Sequence, residues 1–375
     1  MRFLMFGLIL APIAAFAQGP ARDLPYRTFG NWLVGCDNTG ACAALVLPEG
    51  EGPGRVYLRI ARGGAGADLP EVSIVPVGGG APAGGWRLSV DGGTAVGPLA
   101  PRPGDQTGRA PITARDFGTL LPGLRDGARL SIEATGRAVA AMDIRGGGAA
   151  LRWMDERQGR NRTTTALVAR GPGAPPASDG AVPKVPIPAP APQDRLPRPP
   201  GVNAAGTDAS CEAQGGGLPP GAAGRVTGAT VGNPPPPVVR LAGGAFLYAY
   251  PCARGAQGPT SLTMVTNREG RAPRRVQFPR PGGAVATPAN LSYAPESGQF
   301  GQSVRTARDC GEENRWAWDG LRFRLLSWTA MPLCRGVNEA DWLVLHRAEP
   351  DPAEVPPPPD PPQRQARHGQ GRPHR

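Results

Sequence analysis

The chain has 375 residues, with 41 Lys or Arg against 30 Asp or Glu, for a formal net charge of +11, and it holds 55 Gly and 47 Pro. So much Gly and Pro fits packed domains only if linkers carry a large share of it. A single lysine, Lys184, and three histidines, His346, His368 and His374, leave few groups for amine-nucleophile or base chemistry.

Residues 1–17, MRFLMFGLILAPIAAFA, open with Arg2 and an uncharged, largely apolar run, and end in the small-x-small site Ala15-Phe16-Ala17. This is the pattern of a cleaved secretory signal peptide, too short for a membrane span. The expected location is periplasmic or secreted, with no transmembrane segment. The net charge of +11 invites nucleic acid, but the arginines are scattered and export removes the chain from it. In an oxidising compartment the six cysteines read as disulfides. Proximity favours Cys36–Cys42, Cys211–Cys252 and Cys310–Cys334 among fifteen connectivities. With no C-x-x-C, and no histidine near a cysteine, no metal or other cofactor is expected.

An N-terminal β-rich domain with short helices is expected over 18–170. Its "CDNTGAC" encloses turn residues between Cys36 and Cys42. It reads as a clamped hairpin tip, or as a rigid loop whose Asn38 and Thr39 enter a partner's cleft, as an inhibitor does. In "RVYLRI", Val56, Leu58 and Ile60 alternate with Arg55, Tyr57 and Arg59, the signature of a strand. "WRLSVDGG" is a strand followed by a turn at Asp91-Gly92. "TARDFGTLLPGL" predicts a helix capped by Thr113 with Asp116 at box spacing. Its Phe117, Leu120, Leu121 and Leu124 face inward, and Pro122 is expected to stop or kink it. "RLSIEA" resumes a strand, and "GGAALRWMDERQGR" predicts a second short helix with Ala150, Trp153 and Met154 inward.

Residues 171–205 repeat proline at short intervals and predict an extended, partly polyproline linker. A C-terminal β-rich domain is expected over 206–348, then a disordered Pro/Arg-rich tail over 349–375. "NREGRAPRRVQFPRP" concentrates Arg268, Arg271, Arg274, Arg275 and Arg280 against one Glu269. It reads as a solvated loop or as a contact for anionic envelope polymer or lipid headgroups. "RWAWDGLRFRLLSW" predicts a hairpin turning at Asp319-Gly320. That register sets Trp318 opposite Leu321, Trp316 opposite Phe323 and Arg315 opposite Arg324, with a bulge near Leu325-Leu326. One face, Trp316, Trp318, Leu321, Phe323 and Leu325, is expected to be core, with a Trp-lined sugar platform as the competing reading. Arg315, Arg322 and Arg324 then form an outer contact face. The fold class is mainly β, with α+β character: two strand-rich, disulfide-stapled domains joined by a Pro-rich linker.

The stretches "FGNWLVGCDNTGACAA" (29–44), "LRWMDERQGRNRTTTALVARG" (151–171), "RDCGEENRWAWDG" (308–320) and "CRGVNEADWLVLHRA" (334–348) resemble the exported bacterial proteins grouped as domain of unknown function 1176. The N-terminal part is also similar, more faintly, to invasion-associated locus B proteins. The resemblance implies a periplasmic protein of unassigned chemistry and supplies no catalytic residues. The residues themselves offer His346 as a sheet residue rather than a base. Their adjacent carboxylates, Asp155 with Glu156 and Glu312 with Glu313, diverge on a strand or helix instead of converging on a substrate. The reading that follows is a non-enzymatic periplasmic binding or envelope-interaction protein. Its partner would be anionic envelope polymer or another periplasmic protein. The competing readings are a carboxylate-dependent cell-wall hydrolase and an inhibitor presenting the Cys36–Cys42 loop.

Overall fold

The computed structural model describes residues 24–50, 54–80, 84–197, 238–255, 258–286 and 288–353. The expected signal peptide, most of the tail and Cys211, with its proposed bridge to Cys252, lie outside the described residues. The protein is mainly β. Strands β1 (Tyr26–Phe29), β2 (Trp32–Cys36), β3 (Cys42–Val46), β4 (Val56–Arg62) and β5 (Glu71–Pro76) pair antiparallel in chain order. β6 (Trp86–Val90) and β7 (Val96–Leu99) leave for a second sheet, and β8 (Ala110–Ile112) returns to β5. After α1 (Ala114–Asp126), β9 (Arg129–Ala134) and β10 (Arg137–Asp143) complete that second sheet in the order β10-β9-β6-β7. α2 (Gly147–Arg157) follows.

Local chemistry accounts for these elements. Asp91 and Gly92 take φ of 48° and 73°, the left-handed pair a tight turn needs. The Thr113 hydroxyl accepts the Asp116 amide at 3.1 Å and caps α1. Pro122 does not stop that helix, contrary to expectation: four further residues remain helical. Proline has no N–H for the Gly118 carbonyl one turn earlier, and Gly118 is exposed, so that carbonyl is not left in an apolar interior. Fully buried Leu124 anchors the turn beyond it.

The linker then crosses the molecule in contact with it. β11 (Lys184–Pro188) pairs in parallel with β21 (Glu349–Ala353), so residues 349–353, expected to begin a disordered tail, instead form a strand. Pro186, Pro188, Pro350 and Pro352 stand at positions that do not donate between the two strands; the Glu349 amide, for example, donates to the Pro183 carbonyl at 2.9 Å. Proline has no N–H, so each strand pairs on one side and its outer edge is blunted. Val185 and Ile187 of β11 are buried against Ala317 and Leu326.

The C-terminal unit has two sheets. β12 (Val238–Arg240), β13 (Phe246–Gly255), β14 (Gly258–Thr266) and β15 (Arg274–Arg275) form one. β16 (Ser292–Ala294), β17 (Gln299–Ala307), β18 (Cys310–Trp318), β19 (Phe323–Met331) and β20 (Leu343–Arg347) form the other. The β18–β19 hairpin departs from the expected register. Its turn spans Asp319–Arg322, so Trp318 faces Phe323, Trp316 faces Leu325 and Arg315 faces Ser327. The Asp319 carboxylate accepts the amides of Leu321 and Arg322, both at 2.9 Å, and closes a turn two residues longer than an Asp-Gly pair requires. The register shift opposite Arg315/Trp316 leaves Leu326 unopposed, a bulge where one was expected. Leu321 is therefore 47% exposed rather than core. The like-charge pairing of Arg315 with Arg324 is avoided, and Arg324 faces Ala317 instead.

All seven tryptophans are buried, none more than 9% exposed, which excludes a Trp platform for sugar. Phe278 lies 5.0 Å from Trp316 and 4.4 Å from Phe323, centroid to centroid, and Trp318 meets Phe323 edge-on at 5.2 Å. The aromatic run is core, held by offset and edge contacts.

The first sheet has two buried faces. Val56, Leu58 and Ile60 join a core with α1, α2 and the second sheet. Leu33, Leu45, Tyr57 and Val75 on the reverse face join a second core that contains Trp316, Trp328, Trp342 and Leu343 of the C-terminal unit. The two units thus share a hydrophobic seam. At Gly35 an added Cβ would stand 2.8 Å from Leu343 and 2.9 Å from Leu345, so glycine is what permits the close approach. No described helix is long and apolar enough to cross a membrane.

Disulfides Cys36–Cys42 and Cys310–Cys334 are both formed, as proximity suggested. The first joins directly paired residues of β2 and β3. The second ties the start of β18 to the segment after β19. Restriction of the unfolded chain grows with loop length. Replacing both cysteines of the longer, 24-residue separation by Ser is expected to lower unfolding stability by about 3 kcal/mol, and of the 6-residue one by about 2 kcal/mol. Urea titration of the two double variants checks this; a greater loss from the shorter loop contradicts it.

Candidate functional site

Three of the four carboxylate candidates, Asp155, Glu312 and Glu313, are committed to arginines. Asp155 is fully buried, 2.6 Å from the Arg62 guanidinium, and its other oxygen accepts the amides of Leu167 at 2.7 Å and Val168 at 3.1 Å. Glu156 is exposed. Glu312 pairs with Arg280, and Glu313 with Arg305 at 2.6 Å. Neither adjacent pair converges. His346 is half-buried; burial pulls its imidazole below the ordinary value, against a backbone hydrogen bond with Leu325 and the charge of Asp37. It pairs with Trp328 across the sheet.

The 151–171 stretch turns out to be a buried scaffold. Arg62 donates to the Gln158 oxygen at 2.6 Å, and the Gln158 amide donates to the Gly40 and Gly63 carbonyls at 2.7 and 2.9 Å. Arg160 donates to the Ala65 and Gly66 carbonyls at 2.5 and 3.0 Å. Together they hold the Cys36–Cys42 loop and the segment after β4.

The Cys36–Cys42 loop is engaged within the molecule. The Asn38 amide donates to the Arg347 carbonyl at 2.9 Å, and its oxygen accepts the Arg347 amide at 2.8 Å. Asp37 pairs with the Arg347 guanidinium. The Thr39 hydroxyl donates to Asp37 at 2.6 Å. The loop is the clamped hairpin tip of the two readings, and Asn38 serves a latch that fastens the N-terminal unit to β20, because the edge strand β20 offers unpaired backbone groups that match the amide.

A second latch went unseen in the sequence. Asp341, 3% exposed, accepts the Tyr57 hydroxyl at 2.5 Å and lies 2.6 Å from Arg109 and 3.1 Å from Arg59. Burial, then the neighbouring Asp341 charge, pushes the Tyr57 phenol up, so it stays protonated and donates. The available signal was Arg59 alternating with buried positions on β4, which reads equally well as a solvent face.

The remaining arginines gather at one end of the C-terminal unit. Arg268 and Arg271 lie in the exposed β14–β15 loop, and Arg268 donates to the Gly243 carbonyl at 2.6 Å. Exposed Arg274 donates to the Leu321 carbonyl at 3.0 Å and lies 5.7 Å over the Trp318 ring, which joins this loop to the β18–β19 turn. Arg322 and Arg324 share one carboxylate, Asp319, at 3.8 and 3.6 Å. The linker reaches the same end, since Pro197 lies 3.8 Å from the Cβ position of Gly270 and exposed Arg195 precedes it. Arg240 also reaches this segment, donating to the Asp194 carbonyl at 2.6 Å and the Arg195 carbonyl at 3.2 Å, so arginines outnumber the nearby carboxylates Asp194, Glu269 and Asp319 among the described residues. Arg275 is half-buried on β15 and Arg315 is exposed on β18, further from the turn.

The family described as Protein of unknown function (DUF1176) matches residues 26–349. The chain is 29% identical over 373 residues to Uncharacterized protein YpfG of Escherichia coli (strain K12), an alignment covering 92% of this chain and 97% of that protein. It is also similar to the crystal structure of invasion associated protein b from Bartonella henselae, at 20% identity and a TM-score of 0.28, covering 36% of this chain and 98% of that one.

Proposed function

The chain belongs to the DUF1176 family, and on that premise we propose that it is an exported, non-enzymatic binding protein that engages anionic envelope material through the arginine-rich end of its C-terminal unit. The observation that carries the reading is the exposed arginine group around the β18–β19 turn, where Arg322 and Arg324 share the single carboxylate of Asp319 and that carboxylate also fixes the turn's backbone. A preformed cationic surface loses little entropy on binding. The two disulfides support an oxidising location. The arginine pairing of Asp155, Glu312 and Glu313 supports a role other than general acid–base work.

Dextran sulfate is a suitable soluble probe. Replacing Arg271, Arg274, Arg322 and Arg324 together by Gln is expected to weaken its binding at least about tenfold in dilute salt, and 0.5 M NaCl to abolish it, because exposed charges are screened within a few ångströms there. Unchanged binding by the quadruple variant overturns the reading.

A further inference from the structure

We infer that the anionic partner at this end is a lipid bilayer surface, with Leu321 and Leu196 seated among the headgroups while the surrounding arginines engage phosphates. The inference rests on the proposed function and narrows its partner. Among the described residues the large exposed apolar side chains are Leu69, Val139, Leu196 and Leu321. The last two, 40% and 47% exposed, stand at the arginine-rich end. The β14–β15 loop lies between them: Gly270 approaches Pro197, next to Leu196, and Arg274 holds the Leu321 carbonyl.

A soluble polyanion gains nothing from exposed leucines, whereas the interface of an anionic bilayer rewards both terms at once. Apolar groups enter the boundary between headgroups and acyl chains, and each arginine near the surface adds attraction that falls off within a Debye length. Leucine at the apex of a turn, with cations behind it, has the depth order that a bilayer presents: apolar inside, phosphate outside. The turn is also rigid. Both Asp319 bonds to backbone amides hold Leu321 forward, and Gly320 alone in it takes a positive φ, of 98°. The Arg274 guanidinium spends one N–H on the turn and retains others for phosphate.

The test is flotation of the full chain with vesicles of phosphatidylglycerol and phosphatidylcholine, beside vesicles of phosphatidylcholine alone and beside dextran sulfate. Leu196→Ser with Leu321→Ser is expected to lower affinity for the anionic vesicles about tenfold and to leave dextran sulfate binding unchanged; both positions are exposed, so the melting midpoint should hold. The Arg→Gln quadruple variant should lose both. Anionic vesicles bound equally well with and without the leucines overturn the bilayer inference and leave the polyanion reading standing. Equal binding to phosphatidylcholine alone also overturns it. Failure to bind either anionic probe removes both readings.

Discussion

Asp155→Ala is expected to lower unfolding stability by about 3–5 kcal/mol, the range for breaking a buried ion pair from one side. Both side chains of the Asp155–Arg62 pair are fully buried, so removing the carboxylate strands a guanidinium that has already lost much of its hydration. Burial already pulls the Arg62 guanidinium down, and the Asp155 hydrogen bond and charge resist that pull. The variant also deprives the Leu167 and Val168 amides of their acceptor. Arg62→Met with Asp155→Leu makes the argument specific. With no charge left stranded, the double variant should lose less than Asp155→Ala. It should still fall below the parent, because Gln158 and the two amides lose partners. Urea unfolding at neutral pH measures all three. A double variant weaker than the single one contradicts the stranded-charge account.

Asp341→Ala is expected to cost about 3 kcal/mol and, more tellingly, to split one cooperative transition into two. Asp341 lies in the C-terminal unit, yet its partners Tyr57, Arg59 and Arg109 all come from the N-terminal one. Its loss leaves a buried hydroxyl and two arginines, each about a quarter exposed, without a counter-charge at the seam. Tyr57→Phe removes a single hydrogen bond and should cost about 1 kcal/mol with the transition still single. Calorimetry shows the number of transitions, and limited proteolysis within residues 171–183 shows whether the units part. An undivided transition in Asp341→Ala would place the cooperativity in the shared apolar core, where Leu33, Leu45 and Tyr57 meet Trp342 and Leu343.

The candidate site was partly legible. The arginines of the 268–275 stretch and of the hairpin stand out as sequence, but that the two groups meet at one end depends on Arg274 reaching the Leu321 carbonyl across 47 residues. Leu321 was read as core because a two-residue turn was assumed. The longer turn expels it, and the decision rests on a carboxylate accepting two amides, which competes with backbone pairing at similar energy. For Asn38 and Thr39 the turn chemistry of the Cys36–Cys42 loop leaves a hairpin tip and a partner-entering loop both open. The chain that captures Asn38 lies 309 residues away.

Features controlled by local chemistry are legible in the order of residues alone. These are the alternation of β4, the Thr113 cap, the Asp91-Gly92 turn, the aromatic core of β18 and β19, and the two short-range disulfides. Each depends on neighbours within a few residues or on simple burial of large apolar side chains. Packing between distant segments sets the rest: the burial of the first sheet's reverse face, the pairing of the proline linker with residues 349–353, and the latching of the units by Asp341 and Arg347. Arg59 beside a hidden carboxylate and Arg59 beside water look the same in one dimension. The difference is set by which distant surface arrives to exclude the solvent.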